Sequence, residues 1–389
     1  MPEPILILGG GLVGLSLAHD QARRGRAVTV ISRRRSEAAG FVAAGMLAPH
    51  AEGLEGPMLE LGQRSLAAIP AWVQQIEADS GLRCGLRHCG IVVPFRSIEE
   101  RDRYPTAAWG TPLDRRELER EIPGLASAWS TGLIFPQDGQ IDNRRRLMRA
   151  LERACVALGV RFQEGSEVLE LHTDASRCRL EAGTVSDRRA PQLEAISLQT
   201  ADGETRRIPC GLAILACGAW SRQLLPTLPI APVKGQMLSL QGPREALQRV
   251  LFGPGTYLVP RDDGLLVVGA TSEPEAGFGE GLTPEGQRRL QAGLASLLPE
   301  AAGWPPMERW GGFRPCTPDQ RPILGPGPID GLWLATGHHR NGVLLAAITA
   351  ELLGVALSGA GVRSGQERRE PDSTWEAALA PFRWDRFDR

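Results

Sequence analysis

The run Ile5-Leu6-Ile7-Leu8-Gly9-Gly10-Gly11-Leu12-Val13-Gly14 reads as a buried strand that breaks into a glycine turn and opens a helix. Ile5 to Leu8 is continuously apolar, Leu12 to Arg24 has helical spacing, Gly25 stops the helix, and Ala27 to Ile31 forms a second buried strand. In this context the G-x-G-x-x-G pattern permits a tight turn and a close backbone approach, with the helix N-terminus facing a pyrophosphate. Gly9, Gly11, Leu12, Val13 and Gly14 are therefore candidate dinucleotide-binding residues. The acid that usually ends the second strand and holds a ribose is missing: the sequence there is Val30-Ile31-Ser32-Arg33-Arg34. A serine followed by arginine can mark a 2′-phosphate site and hence NADP. Ser32 can equally serve FAD as a neutral hydrogen-bond partner, and this locus leaves the choice open.

Outward from that unit, a helix is expected across Leu59–Ser80, with Pro70 inside it predicting a kink or a helix pair. Strands are expected at Arg87–Pro94 and Gly132–Phe135, around a charged helical stretch near Leu113–Glu121. Asp142 is the expected N-cap of a helix from Asn143 to Leu158, which Gly159 ends. Strands follow at Glu167–Leu171, Cys178–Ala182, Ala195–Gln199 and Thr205–Ile208, then an apolar strand over Gly211–Cys217. A β-rich block holds Gln236–Leu240, Thr256–Pro260 and Leu265–Gly269, with Asp263-Gly264 as a turn. Thr283 caps a helix to Leu298, and the chain continues through strand Gly331–Ala335 into a helix from Val343 to about Leu357. Two glycine–strand units far apart, with a β block between them, predict an α/β fold. It has a Rossmann-like nucleotide-binding domain in discontinuous pieces, with a second domain of antiparallel β-sheet inserted into it. The expected boundaries are 1–84, 140–220 and 317–370 for the first, 85–139 and 221–316 for the second, and 371–389 for a C-terminal tail.

Composition narrows the class. The 389 residues are 42% hydrophobic and 23% charged, ordinary for a globular enzyme. Lys+Arg total 44 against 45 Asp+Glu, a net charge of −1, which removes the general attraction a nucleic-acid or anionic-membrane partner requires. The longest apolar stretch, Val343–Leu357, is too short to span a bilayer and carries Glu351. Pro2-Glu3-Pro4 is not a signal peptide's basic start. Seven cysteines without a C-x-x-C pair suit a reducing cytoplasm rather than a disulfide framework or a metal site.

Four further segments carry a resemblance. They are Ala43-Ala44-Gly45-Met46-Leu47-Ala48-Pro49-His50-Ala51-Glu52, Ala216-Cys217-Gly218-Ala219-Trp220-Ser221, Gly311-Gly312-Phe313-Arg314-Pro315-Cys316-Thr317-Pro318-Asp319, and Gly337-His338-His339-Arg340-Asn341-Gly342-Val343-Leu344-Leu345. With Pro232–Gln236 and the tail Phe382–Phe387, they make the sequence similar over essentially its whole length to the D-amino acid oxidase superfamily, and within it to the glycine oxidases of thiazole (thiamine) biosynthesis. That resemblance implies noncovalent FAD: aligning Thr317-Pro318-Asp319 puts Gly312 where related monomeric sarcosine oxidases carry a linking cysteine. It implies cofactor contacts from Ser32, Arg33, Arg34, Ala43, Ala44, Gly45, Met46, Val168, Ala216, Gly218, Trp220, Arg314, His339, Arg340, Asn341, Gly342, Val343 and Leu344, besides the glycine turn. The helix after Arg340-Asn341-Gly342 would face the flavin with its positive end.

The resemblance assigns the catalytic site to Arg314, Tyr257, Arg340 and Met46. A planar guanidinium at Arg314 can pair bidentately with a substrate carboxylate, helped by the Tyr257 hydroxyl. The implied reaction passes hydride from the substrate Cα to FAD, leaves an imine, and reduces O2 to hydrogen peroxide. Glycine, sarcosine and small D-amino acids are the implied substrates, a homotetramer the implied assembly, and thiazole synthase a functional partner. His339 stands where relatives usually have tyrosine or phenylalanine. Ser272 replaces a bulkier residue, so strict glycine preference is in question. The competing expectations are a D-amino acid or sarcosine oxidase or dehydrogenase of the same fold, an NADP-dependent reductase, and a non-enzymatic flavoprotein.

Overall fold

The computed structural model describes residues 4–174, 190–360 and 373–387; the expected strand at 178–182 lies outside them. Strand β1 (Ile5–Leu8), helix α1 (Leu12–Arg23) and strand β2 (Val28–Ser32) form the predicted opening unit. β1 and β2 sit inside a six-stranded sheet, ordered Ile323–Pro326, Leu332–Thr336, Ala213–Leu215, β1, β2, Arg161–Glu164. All its pairings are parallel except that of the edge strand Ile323–Pro326. Continuous apolar strands such as Ile5–Leu8 suit a sheet covered on both faces. On one face Leu15, Ala18, Ile69, Ile76, Leu151, Leu345 and Leu353 pack from α1, α2 (Gly56–Ser80) and the helices Met148–Ala157 and Gly342–Ala360. On the other, Leu8, Ile31 and Leu215 meet Leu193, Ile196 and Leu198 of a separate three-stranded antiparallel sheet.

The second large unit is an eight-stranded sheet ordered Pro306–Cys316, Ala231–Gln241, Leu265–Gly269, Thr256–Pro260, Val250–Gly253, Ile91–Phe95, Thr131–Phe135, Thr111–Leu113. Its pairings are antiparallel except Val250–Gly253 with Ile91–Phe95. The two-residue period of a strand splits its side chains between faces. Leu238, Leu258, Leu266 and Val268 turn to the helices Arg115–Glu121 and Pro284–Leu297, while Met237, Val259 and Val267 turn to the Ala44–Ala51 segment. That second face carries the site.

Three expectations are corrected. α2 is one continuous helix, not a pair: Pro70 lies on its exposed side while Leu61, Ile69, Trp72, Val73 and Ile76 are buried and hold the helix through it. Asp142 does not cap. The helix after it opens with a π turn, Asn143–Leu147, and the Asp142 carboxylate pairs instead with Arg145 at 2.9 Å. The single strand expected at 87–94 splits into Leu86–Arg87 and Ile91–Phe95 around Gly90, whose φ of +73° breaks the ladder. Among the described residues, no helix is long and apolar enough to cross a membrane.

Candidate active site

A cavity of about 960 Å³ runs between the two large sheets, from the glycine turn to the inner face of the eight-stranded sheet. Gly9, Gly11, Leu12 and Val13 line one end. Gly11 stands at the N-cap of α1 without a side-chain cap, so the amide donors of the first turn are free for a ligand. Gly9 has φ +114°, and a Cβ there would lie 2.4 Å from the carbonyl oxygen of Ala216, which also lines the cavity. Gly14 is not in the wall. It lies behind the turn, where a Cβ would sit 1.9 Å from the Gly9 oxygen, so its role is to let helix and turn touch.

Ser32, Arg33, Arg34 and Val168 line the same end, joined by Glu37 and Glu167. The arginines are already matched: Arg33 lies 3.1 Å from Glu37 and 2.9 Å from Glu167, and Arg34 lies 2.8 Å from Glu37. This pairing leaves no spare positive charge for a 2′-phosphate, and carboxylates beside a buried serine suit ribose hydroxyls. Trp220, beside Gly218 in the wall, lies under the Arg33 guanidinium at 5.6 Å and stacks on Phe278 at 5.2 Å.

Mid-cavity, Ala43, Ala44 and Gly45 present small side chains and backbone, with Met46 beside them in the wall. Gly45 adopts φ +85°, where a Cβ would meet the Ile141 oxygen at 2.0 Å. The segment is tied down by Arg261, which donates to the carbonyl of Ala44 and the side chain of Gln140. Arg261 is almost fully enclosed; burial pushes it down to about 10, against the pull of Asp142.

Arg314, Tyr257, Arg340 and His339 converge at the far end with Glu52, Tyr104 and Ser272. Arg314, opposite Val233 in the sheet register, lays its guanidinium over Gly235, where a Cβ would lie 2.4 Å from Nη1. Nη1 donates to the Thr271 carbonyl at 2.9 Å. The side chain keeps some exposed surface because it faces the open cavity, yet burial lowers its pKa, while the neighbouring Tyr257 raises it. Burial likewise pushes the Tyr257 hydroxyl up, against the pull of Arg314 and Arg340. Arg340 lies 3.5 Å from Glu52 and 5.8 Å above the Phe252 ring. His339 holds φ +47°, its N–H bonded to the Pro315 oxygen at 2.9 Å; burial, then Arg314 and Arg340, push its imidazole down to about 4. Gly342 and Val343, the first residues of the Gly342–Ala360 helix, line the wall, whereas Asn341 and Leu344 do not; Leu344 is a core residue against Gly62.

Residues 4–354 match the profile of the family described as FAD dependent oxidoreductase. The chain belongs to that family. A bifunctional protein ThiO/ThiG of Synechocystis sp. is 41% identical over 357 residues, covering 90% of this chain and 50% of that protein. The chain thus spans about half the length of the bifunctional relatives it matches. A glycine oxidase of Pseudomonas aeruginosa is 30% identical, covering 92% of this chain and 96% of its own. The crystal structure of glycine oxidase from Geobacillus kaustophilus superposes with a TM-score of 0.82 at 28% identity, covering 99% of both chains.

The cavity of this FAD-dependent oxidoreductase suits its cofactor. Its uncapped helix start and glycine turn fit a pyrophosphate, and its paired arginines fit an unphosphorylated ribose. Gly312 lines the cavity without a thiol. Cys217 also lines it, but burial pushes that thiol up to about 12, far from the reactive thiolate. The structure also brings to the cavity and its support residues the sequence did not disclose. Arg261 lies between the expected strand Thr256–Pro260 and the Asp263-Gly264 turn without being singled out, and Glu52 appeared only as the end of a quoted segment. Asp138, fully buried, accepts from the backbone of His50 and Ala51 and lies 2.6 Å from His50 Nδ1; nothing local marks it.

One pH effect follows for the flavoenzyme. His338, fully buried and 3.1 Å from the Thr349 hydroxyl, is pushed down to about 4 by burial. A histidine held below its unfolded value of about 6.5 adds stability that is present above that pH and lost as pH falls toward the folded value. Thermal scans between pH 7 and 4 should show a falling Tm, and His338→Gln should flatten the fall by up to about 3 kcal/mol of stability.

Proposed function

We propose that this flavoenzyme oxidises the Cα–N bond of glycine and similarly small amines, including sarcosine and small D-amino acids. The observation that carries this is a cavity-lining guanidinium, Arg314, beside the Tyr257 hydroxyl, where a substrate carboxylate finds a planar, charge-assisted partner. FAD, when bound, supplies the two-electron acceptor that takes hydride from the substrate Cα and passes the electrons to O2, giving an imine and hydrogen peroxide. The protein binds and orients. Arg314 and Tyr257 fix the carboxylate, Met46 lines the cavity, and Arg340 adds positive charge. The amide donors opening the Gly342–Ala360 helix place a positive dipole end on the wall. Neutral His339 adds no competing cation.

The central sheet with the Ala43–Met46 segment forms the cofactor domain in this reading, over 1–84, 140–220 and 317–370. The eight-stranded sheet, over 85–139 and 221–316, forms the substrate domain. Relatives named as bifunctional ThiO/ThiG support a supply of glycine-derived imine to a thiazole synthase. A homotetramer in the reducing cytoplasm completes the proposal. Ser272 lines the cavity with a small side chain, which favours some tolerance of substrates larger than glycine. Turnover of glycine, sarcosine and D-alanine under air, followed by peroxide formation, tests the reading. Peroxide from at least one of the three supports it; none from any of them excludes it.

A further inference from the structure

Glu52 belongs to a segment held with unusual firmness. Asp138 accepts the N–H groups of His50 at 3.2 Å and Ala51 at 2.8 Å, and its other oxygen pairs with the His50 ring. The Tyr104 hydroxyl donates to the Ala51 carbonyl at 2.6 Å, and the Thr106 hydroxyl to that of His50 at 2.5 Å. These ties set the Glu52 carboxylate in the cavity wall with its side chain only 9% exposed. None of the described residues donates a hydrogen bond to it; its nearest cation, Arg340 Nε, stays 3.5 Å away. A buried carboxylate without donors is costly, and a fold that fixes one so tightly has a donor arriving with the ligand.

We infer that the Glu52 carboxylate receives the amino group of the substrate, completing with Arg314 a pair of opposite charges matched to a zwitterion, and takes one ammonium proton. This rests on the amine-oxidation reading above. In the transfer one N–H bond of the ammonium breaks and one O–H bond forms on Glu52, while the electron pair stays on nitrogen. The free amine that results is the form able to lose hydride from Cα. The charged and titratable groups facing Glu52 are Arg340, Arg314, Asp138, Tyr104 and Tyr257. Burial raises the proton affinity of Glu52, Arg340 and Arg314 lower it, and Asp138 raises it again, so the net rise moves it toward that of an amine. Tyr104 is pushed up by burial and by Glu52, and stays protonated beside it.

The test uses the holoenzyme and its Glu52→Gln and Glu52→Asp variants, titrated with acetate, which has the carboxylate but no amine, and with glycine. Acetate binding is read from the flavin absorption spectrum. The inference expects Glu52→Gln to keep FAD and to bind acetate at least as tightly as the parent. Its kcat/KM for glycine at neutral pH falls about 100-fold or more, the low end for a positioned proton acceptor. The acidic limb of the pH profile moves to higher pH, and Glu52→Asp restores part of the loss. Equal weakening of acetate and glycine, loss of FAD, or an unchanged glycine profile would each overturn the assignment. A parent enzyme that is neither reduced by glycine nor perturbed by acetate would instead overturn the amine-oxidation reading, and the inference with it.

Discussion

Replacing Arg314 by alanine should raise the KM for glycine by about 100-fold or more while the purified protein stays yellow. The guanidinium faces the cavity, packs over Gly235 and donates to the Thr271 carbonyl, so the fold spends a backbone carbonyl and a missing side chain on holding one cation in place. Truncating one partner of a desolvated charge pair costs about 2–5 kcal/mol, and here the cost falls on substrate binding. Retained FAD separates this from a general loss of structure. Arg314→Lys tests the geometry. An ammonium keeps the charge but not the planar fork, so it should recover only part of the binding. An alanine variant with unchanged KM would move the carboxylate site elsewhere.

The second large effect is expected at Gly14, which touches no ligand. A methyl group there would stand 1.9 Å from the Gly9 carbonyl, so the turn must move. Gly9 has no room to give, since its own Cβ position lies 2.4 Å from the Ala216 oxygen. Gly14→Ala should therefore weaken FAD by about 100-fold or more, equivalent to about 2.7 kcal/mol, and emerge largely colourless. Its circular dichroism should still show a folded protein, because the helices and sheets away from the turn are untouched. Stoichiometric flavin in that variant would show that the turn tolerates the shift.

The contrast between these two glycine and arginine sites and the rest of the cavity shows what a sequence discloses. The glycine turn was legible because its requirement is local: φ +114° at Gly9 and close contact at Gly14 can be met by glycine alone. The strands of the β block were legible because short apolar runs such as Leu265–Gly269 are bounded by turn residues such as Asp263-Gly264. Asp142 misled because the cap reading assumes an α-helical start, whereas the π turn hands its carboxylate to Arg145. Leu344 and Asn341 travelled with their motif although neither lines the cavity, Leu344 because it packs in the core and Asn341 because it precedes the helix that opens on the wall. Arg261, Asp138 and Glu52 were hidden for a common reason. Each meets a partner remote in the chain, Arg261 at Ala44, Asp138 at His50 and Ala51, Glu52 beside Arg340, and no local spacing encodes such a meeting.

The central claim is that a small amino acid held through Arg314 gives up two electrons to the bound flavin. An absorption spectrum of the purified protein, recorded before and after anaerobic addition of glycine, tests it most directly. The account predicts an oxidised flavin spectrum that bleaches on mixing and returns when air is admitted. A flavin band that glycine, sarcosine and D-alanine all leave unchanged would contradict it.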